Sequence, residues 1–401
     1  MTWAERWNHW PALAKGTIIL WIAAVVFVSV RVGVQSPHRQ SVYPVFYEAA
    51  QKWWRGEDLY LKSALGYRYS PIVAAGLVPV SWLPPKLGGV VWRWINVAVL
   101  VCGLLWCCRR SLPRHCDAAL AAIIFLLVFP DALANINNGQ PNALVVGLLL
   151  ASLAAVMDKR WTLAAVCLAI STLFKVYPIA LGLLLVLLYP RHLGWRLALA
   201  LGIGLLLPFI LQRPEYVRGQ YRDWFAYIWQ ENRQMVPVSE WYRDVRLLAK
   251  VWFGLDISDR TYKLIEILLA AWMAGICWLG QRRGWGMDRL LVTAFVLGCG
   301  WMTVFGPATE TVTYLILAPA TAWVLVQAFA NNRPTWELGV LVLAYLLMLS
   351  VHIAAWFGGR AYMTLGPQPL GGLILVGYVL FGTTKSAIFT PRGVSLPVGR
   401  D

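Results

Sequence analysis

Long uncharged runs alternate with short polar connections along this chain. Gly16–Val30, Ala143–Met157 and Leu290–Phe305 contain no Asp, Glu, Lys or Arg. With their flanks they approach the roughly 20 apolar residues that a spanning helix needs. Twelve such segments are expected, near 16–34, 88–108, 117–131, 140–157, 161–174, 177–189, 195–212, 262–280, 287–305, 311–328, 336–355 and 369–384. The pattern predicts an all-α fold: a polytopic membrane helical bundle of about 12 transmembrane segments with re-entrant or juxtamembrane helices. It forms one membrane domain over 1–384, followed by a cytoplasmic tail at 385–401.

Some segments are too short to cross. The pair 161–174 and 177–189 meets at Phe174-Lys175-Val176-Tyr177-Pro178, where a Lys and a Pro sit between two half-length helices. Such a break belongs in a cavity rather than in lipid. The apolar run 71–83 is also too short and reads as re-entrant. Two longer polar stretches complete the pattern, about 35–87 and 213–261. The first carries a helix from Pro44 to Trp54, opened by the proline and closed by Gly56.

Charge sets the orientation. Arg109, Arg110 and Arg114, Lys159 and Arg160, Arg191 and Arg196, Arg282, Arg283 and Arg289, Arg333, and Lys385 and Arg392 fall on one side. The connections 132–139 and 306–310 contain no Lys or Arg, and 356–368 holds only Arg360. By the positive-inside rule both termini are cytoplasmic and both long loops face the exterior of an inner membrane. Composition agrees: 59% of the 401 residues are hydrophobic and 13% charged, against about a quarter charged in soluble domains. The net charge of +16 lies in these connections, which makes membrane lipids the partner and excludes nucleic acid. The polar, Trp-rich start (Trp3, Trp7, Trp10) is no cleavable leader and reads as an interfacial segment. The seven cysteines form no CxxC pair, so neither a zinc site nor a disulfide framework is indicated.

There is no GxxxxGK[ST], no GxGxxG and no Asp-x-Asp, so no cofactor or metal is called for, and any donor group has to be presented by the membrane. Lys175 is the sharpest residue, because a mid-membrane cation is costly. With Tyr177 it can hold a phosphate; the plain alternative is a lysine snorkelling to the interface. Arg68, Arg222, Arg233 and Arg243 are further phosphate candidates. The amide-rich stretch Asn135–Asn142 places Asn137, Asn138, Gln140 and Asn142 where sugar hydroxyls can bind, or else forms an ordinary Asn-Gly turn. Tyr67, Tyr69 and Trp224 offer stacking faces. Attack by a hydroxyl needs a carboxylate base, for which Glu310, Glu48 and Asp58 rank first. Glu57 ranks with them, Asp131 and the acids of the second loop follow, and each is equally readable as a solvated loop charge.

These motifs, in order, are Gly56-x-x-Leu59-Tyr60, Tyr67-Arg68-Tyr69-Ser70-Pro71, the Asn-Gly-Gln mouth, Phe174-Lys175-x-Tyr177-Pro178 and the Gly306-Pro307 loop. Together they resemble glycosyltransferase family 87, the polyprenyl-phosphate-mannose-dependent mannosyltransferases of the C-type superfamily, over roughly residues 15–330. The resemblance implies a C-type glycosyltransferase-like fold, an inverting transfer of mannose from a polyprenyl-phosphate sugar donor, and a lipid or glycan acceptor. It also implies a catalytic Asp just before the first-loop helix. The matching stretch, Ser41-Val42-Tyr43-Pro44-Val45-Phe46-Tyr47, has no acid. A transporter or flippase of a lipid-linked or anionic substrate, or a catalytically inactive family member, are the alternative expectations.

Overall fold

The computed structural model describes residues 10–35, 41–60, 66–111, 118–230, 237–306 and 309–384. The segment around Trp3 and Trp7, Arg233, and the tail 385–401 lie outside the described residues. Among the described residues every regular element is helical.

Helix α1 (Ala12–Val34) leads into α2 (Tyr43–Arg55) and the short α3 (Pro71–Ser81), then into α4 (Pro85–Ser111). The central bundle continues with α5 (Ala118–Asn138), α6 (Asn142–Met157), α7 (Trp161–Phe174), α8 (Ile179–Leu188) and α9 (Trp195–Leu206). The second polar stretch folds into α10 (Pro214–Gln230) and α11 (Val245–Phe253). The chain closes with α12 (Asp259–Arg282), α13 (Met287–Gly300), α14 (Ala318–Ala330), α15 (Thr335–Trp356), α16 (Arg360–Thr364) and α17 (Pro367–Thr384).

Among the described residues seven stretches are long and apolar enough to cross a membrane: α1, α4, α5, Pro190–Leu211 around α9, α12, Met287–Phe305 and α15. Six further apolar helices are shorter, including α3, α6, α7 and α8. The expected dozen therefore divides into seven long stretches and five short helices, and α3 is the sixth short one. At 1.5 Å per residue, 11 residues of α3 reach only about 16 Å. This is a multi-pass membrane protein in which long and short apolar helices are mixed.

α2 packs on α3 for a reason visible in its spacing. Phe46, Ala49, Ala50 and Trp53 recur at 3, 4 and 7 residues and are all buried, which lays one apolar stripe against α3. Gly56, at φ 71°, closes the helix as expected: Glu57 N–H donates to the Lys52 carbonyl at 2.9 Å, a left-handed C-terminal cap that favours glycine.

One element runs longer than expected. The apolar pattern ends the α5 span at residue 131, but the helix continues to Asn138. Its late polar residues find partners inside the protein. Asp131 hydrogen-bonds His352 of α15 at 2.8 Å, and Asn135 Oδ1 accepts from the Ala143 N–H at 3.2 Å. The connection expected at 132–139 is therefore mostly helix, and the turn into α6 is Gly139, Gln140 and Pro141, with Gly139 at φ 72°.

α4 and α6 cross closely at two glycines. A Cβ on Gly147 would stand 2.3 Å from the Val99 carbonyl oxygen, and one on Gly103 would stand 2.2 Å from that of Gly147. Small residues at a helix crossing let backbones approach in this way. Gly147→Val is expected to lower the melting temperature in detergent by an amount equivalent to about 1–3 kcal/mol. Gly33→Ala, where a Cβ meets nothing within 4 Å, should change it little; equal melting of the two variants would refute the close crossing.

Candidate functional site

The site starts at a helix end. α7 makes its last turn with Lys175 N–H on the Ser171 carbonyl at 3.0 Å, and Lys175 itself is extended at φ −142°, ψ 132°. Pro178 lies immediately before α8 and cannot supply an amide to continue α7. The break leaves the Lys175 ammonium 5.5 Å from the centroid of the Tyr177 ring, within cation–π range. Tyr177 is buried, and its hydroxyl has no hydrogen-bond partner among the described residues.

The Tyr67–Pro71 segment is stitched onto the same break. Ser70, extended before Pro71 at ψ 154° as a residue preceding proline prefers, donates its Oγ hydrogen to the Leu173 carbonyl at 2.5 Å. Tyr67 donates to the Ser70 carbonyl at 3.0 Å and Tyr60 to the Tyr69 carbonyl at 2.7 Å. The Tyr67 ring lies 5.7 Å from both the Tyr60 and Tyr69 rings. The phenols thus shape the segment through their own backbone, and the Tyr69 ring rests 4.6 Å from Phe46 of α2.

The amide mouth is held from below by a residue that had no place in the expected site. Arg93, in α4, is 1% exposed. It donates Nε to the Ile136 carbonyl at 2.8 Å, Nη1 to Gly89 at 2.9 Å, and Nη2 to the Asn137 carbonyl at 3.1 Å and to Ser41 Oγ at 3.0 Å. Its neighbour Trp92 donates to the Gly139 carbonyl at 2.8 Å. A helix that ends in the protein interior leaves carbonyls that must be satisfied, and Arg93 with Trp92 satisfies those of α5. A lone arginine inside an apolar run was the available signal.

With the corner fixed, Gln140 and Asn142 point at the Glu310 turn. Gln140 Nε2 donates to Glu310 Oε2 at 2.7 Å. Asn142 Nδ2 donates to Gln140 Oε1 at 2.9 Å and to the Val312 carbonyl at 3.1 Å. Glu310 leads into a 3-10 turn, Thr311–Ile316, with its N–H on Thr313 Oγ1 at 3.2 Å. From the second long loop, Arg243 N–H donates to the Thr309 carbonyl at 2.7 Å, and the Tyr314 hydroxyl donates to the Arg243 carbonyl at 2.9 Å.

Electrostatics tie these pieces into one cluster. The negative charge of Glu310 and the positive charge of Arg68 both act on the Lys175 ammonium. Burial first, then Glu310, pushes the Tyr69 hydroxyl up. Arg68 lies under the second loop: Trp224 donates to its carbonyl at 3.2 Å, its guanidinium carbon stands 5.9 Å from the Tyr227 ring centroid, and Nη1 reaches the Tyr242 hydroxyl at 3.5 Å. Lys175, Arg68, Tyr69, Tyr177, Gln140, Asn142 and Glu310 therefore converge, with Arg243 and Trp224 beside them.

The remaining expected residues sit elsewhere or serve the backbone. Glu48 is half-buried on α2, and among the described residues it has no hydrogen-bond or ion-pair partner. Asp58 accepts from the Tyr60 N–H at 2.8 Å and shapes its own turn. Arg222 is exposed and pairs with Asp223 at 3.2 Å. Asn137 and Asn138 contribute carbonyls, to Arg93 and to the Val42 N–H at 2.8 Å. Beyond the expected set, Asp244 next to Arg243 caps α11 through the Leu247 N–H at 3.1 Å, and burial pushes its carboxyl up to about 7.

The sequence profile described as "Glycosyltransferase family 87" matches residues 67–307, which is more than half of the chain. This chain belongs to glycosyltransferase family 87. The matched stretch begins at Tyr67, so it takes in the Tyr-Arg-Tyr segment, the amide mouth, Lys175 and Arg243; Glu310 follows three residues after its end. GPI mannosyltransferase 1 of Aspergillus oryzae is 33% identical over 149 residues, 35% of this chain and 33% of that protein. The chain thus spans a third of that relative's length. GPI mannosyltransferase 1 of Kluyveromyces lactis is 25% identical over 343 residues, 80% of this chain and 78% of that one. Among solved structures, ArnT from Cupriavidus metallidurans in the apo state overlaps 92% of this chain and 78% of its own at 14% identity and a TM-score of 0.44.

Proposed function

We propose that this protein transfers a hexose, namely mannose, from a polyprenyl-phosphate sugar to an acceptor hydroxyl on a lipid or glycan at the external face of an inner membrane. The observation that carries the reading is the meeting of Lys175 and Arg68 with the carboxylate of Glu310, from segments far apart in the chain, within one cluster of tyrosines and amides. Cations beside a carboxylate suit a phosphate leaving group and a base acting on the same substrate pair. Family membership supports the reaction class, and the lysine-rich and arginine-rich connections opposite the site support the external face.

In this reading Lys175, with Arg68 and Arg243, holds the phosphate of the donor. Tyr69 and Trp224 seat the sugar. Glu310 takes the proton of the acceptor hydroxyl as its oxygen attacks the anomeric carbon. The new bond is acceptor oxygen to C1; the bond that breaks is C1 to phosphate oxygen, and the lipid phosphate leaves with the electron pair. A single displacement inverts the anomeric centre. Fixed positive charge at a developing phosphate is the kind of preorganised stabilisation that dominates many transfer reactions. Glu310 takes the part of the acid that is missing from Ser41–Tyr47.

The test is transfer of radiolabelled mannose from polyprenyl-phosphate mannose to membrane acceptors by the purified protein in bilayers. Lys175→Ala and Glu310→Gln are each expected to lower kcat/KM by about a hundredfold or more. Wild-type protein that moves the sugar lipid across liposomes without cleaving it would replace the transferase with a transporter.

A further inference from the structure

We propose that Gln140 is a positioning residue that sets the orientation and the ionised state of Glu310, and that Asn142 dictates which end of the Gln140 amide Glu310 meets. The proposal rests on Glu310 as the base. It arises from a closed ring of hydrogen bonds whose polarity has only one solution.

The ring begins at the Val312 carbonyl, which can only accept. Asn142 therefore presents its Nδ2 there, at 3.1 Å; turned over, two oxygens would face each other. The same Nδ2 lies 2.9 Å from Gln140, so Gln140 has to answer with Oε1. That leaves Nε2 for Glu310, at 2.7 Å from Oε2. Val312 and Glu310 belong to one turn, so the ring closes within it. A backbone carbonyl two residues past the carboxylate thus selects, through two amides, a donor for that carboxylate.

Both amides are withdrawn from water: Asn142 is fully buried and Gln140 is 6% exposed. In such surroundings a donor held on a carboxylate favours the charged form and is stronger than the same bond in water. The hydrogen bond also fixes the plane of the carboxylate. The other groups that act on the site come from different elements: Lys175 from the break after α7, Arg68 and Tyr69 from the segment before α3, and Tyr177 from the start of α8. Arg243 reaches the neighbouring Thr309 through its backbone N–H. Lys175 supplies charge from another direction; the Gln140 side chain supplies its donor from the turn before α6.

Two substitutions separate a positioning role from a merely structural clamp. Gln140→Met keeps the length and removes the donor. Asn142→Asp removes the donor at Val312 and invites Gln140 to turn over, so that Oε1 faces Glu310. In both, the acidic limb of the kcat/KM profile for mannosyl transfer is expected to move up by about one pH unit, with the KM for polyprenyl-phosphate mannose within about twofold. The second readout needs no turnover: the infrared carboxyl band that disappears in Glu310→Gln should titrate at higher pH in both variants than in wild type. A band and a limb that stay at the wild-type pH would overturn the proposal, whatever happens to kcat. If Gln140→Met does not assemble, Asn142→Asp decides alone, since it retains polarity and size. Wild-type protein without transfer, whose band nonetheless shifts in the variants, would retire the transferase reading and leave the amide control of Glu310 standing.

Discussion

A helix that stops inside an apolar bundle leaves its last carbonyls with nothing to accept from, and the bundle cannot supply water to them. The end of α5 is such a place, and the rest of the site hangs on how it is satisfied. Arg93 gives its guanidinium to the carbonyls of Gly89, Ile136 and Asn137, and Trp92 gives its indole N–H to Gly139. A planar fork of five donors suits several converging oxygens in a way a lysine would not. Because the corner is held so fully, α6 begins at a defined place, and its first residues can be used at a distance.

That use is mostly intramolecular. Amides that read in the sequence as sugar ligands are spent on Glu310, Val312 and one another. Phenols that read as stacking faces are partly spent on the backbone of their own segment. The result is a rigid polar wall in which a lysine and a carboxylate stand close without either being swamped by solvent. The two long polar stretches divide the work: α2 and α3 build the floor under Tyr67–Ser70, and the residues after α10 cover Arg68 and reach the Glu310 turn.

Much of this frame was legible beforehand. The spacing of Phe46, Ala49, Ala50 and Trp53, the glycine at 56 and the Lys-x-Tyr-Pro break each encode their local structure within a few residues. Lys175, Glu310 and Arg68 stood out as charges in poor solvent. Partnership was another matter. Gln140 and Glu310 are 170 residues apart, and an amide beside a turn looks the same whether it faces a sugar or a carboxylate. The extension of α5 past Asp131 was hidden for the same reason, because the residue that accommodates the aspartate is His352, in α15. Arg93 sits within an apolar run that otherwise reads as an ordinary span, and the α5 carbonyls it serves are more than forty residues away.

Trp92 carries a consequence of its own. Its indole N–H is bound to Gly139, and its ring is stacked on Phe174, 6.1 Å between centroids and 21° from parallel. One side chain thus pins the amide corner to the residue that precedes Lys175. Those two walls therefore move as a single block, and a displacement at the amide corner is passed directly to the break that holds Lys175.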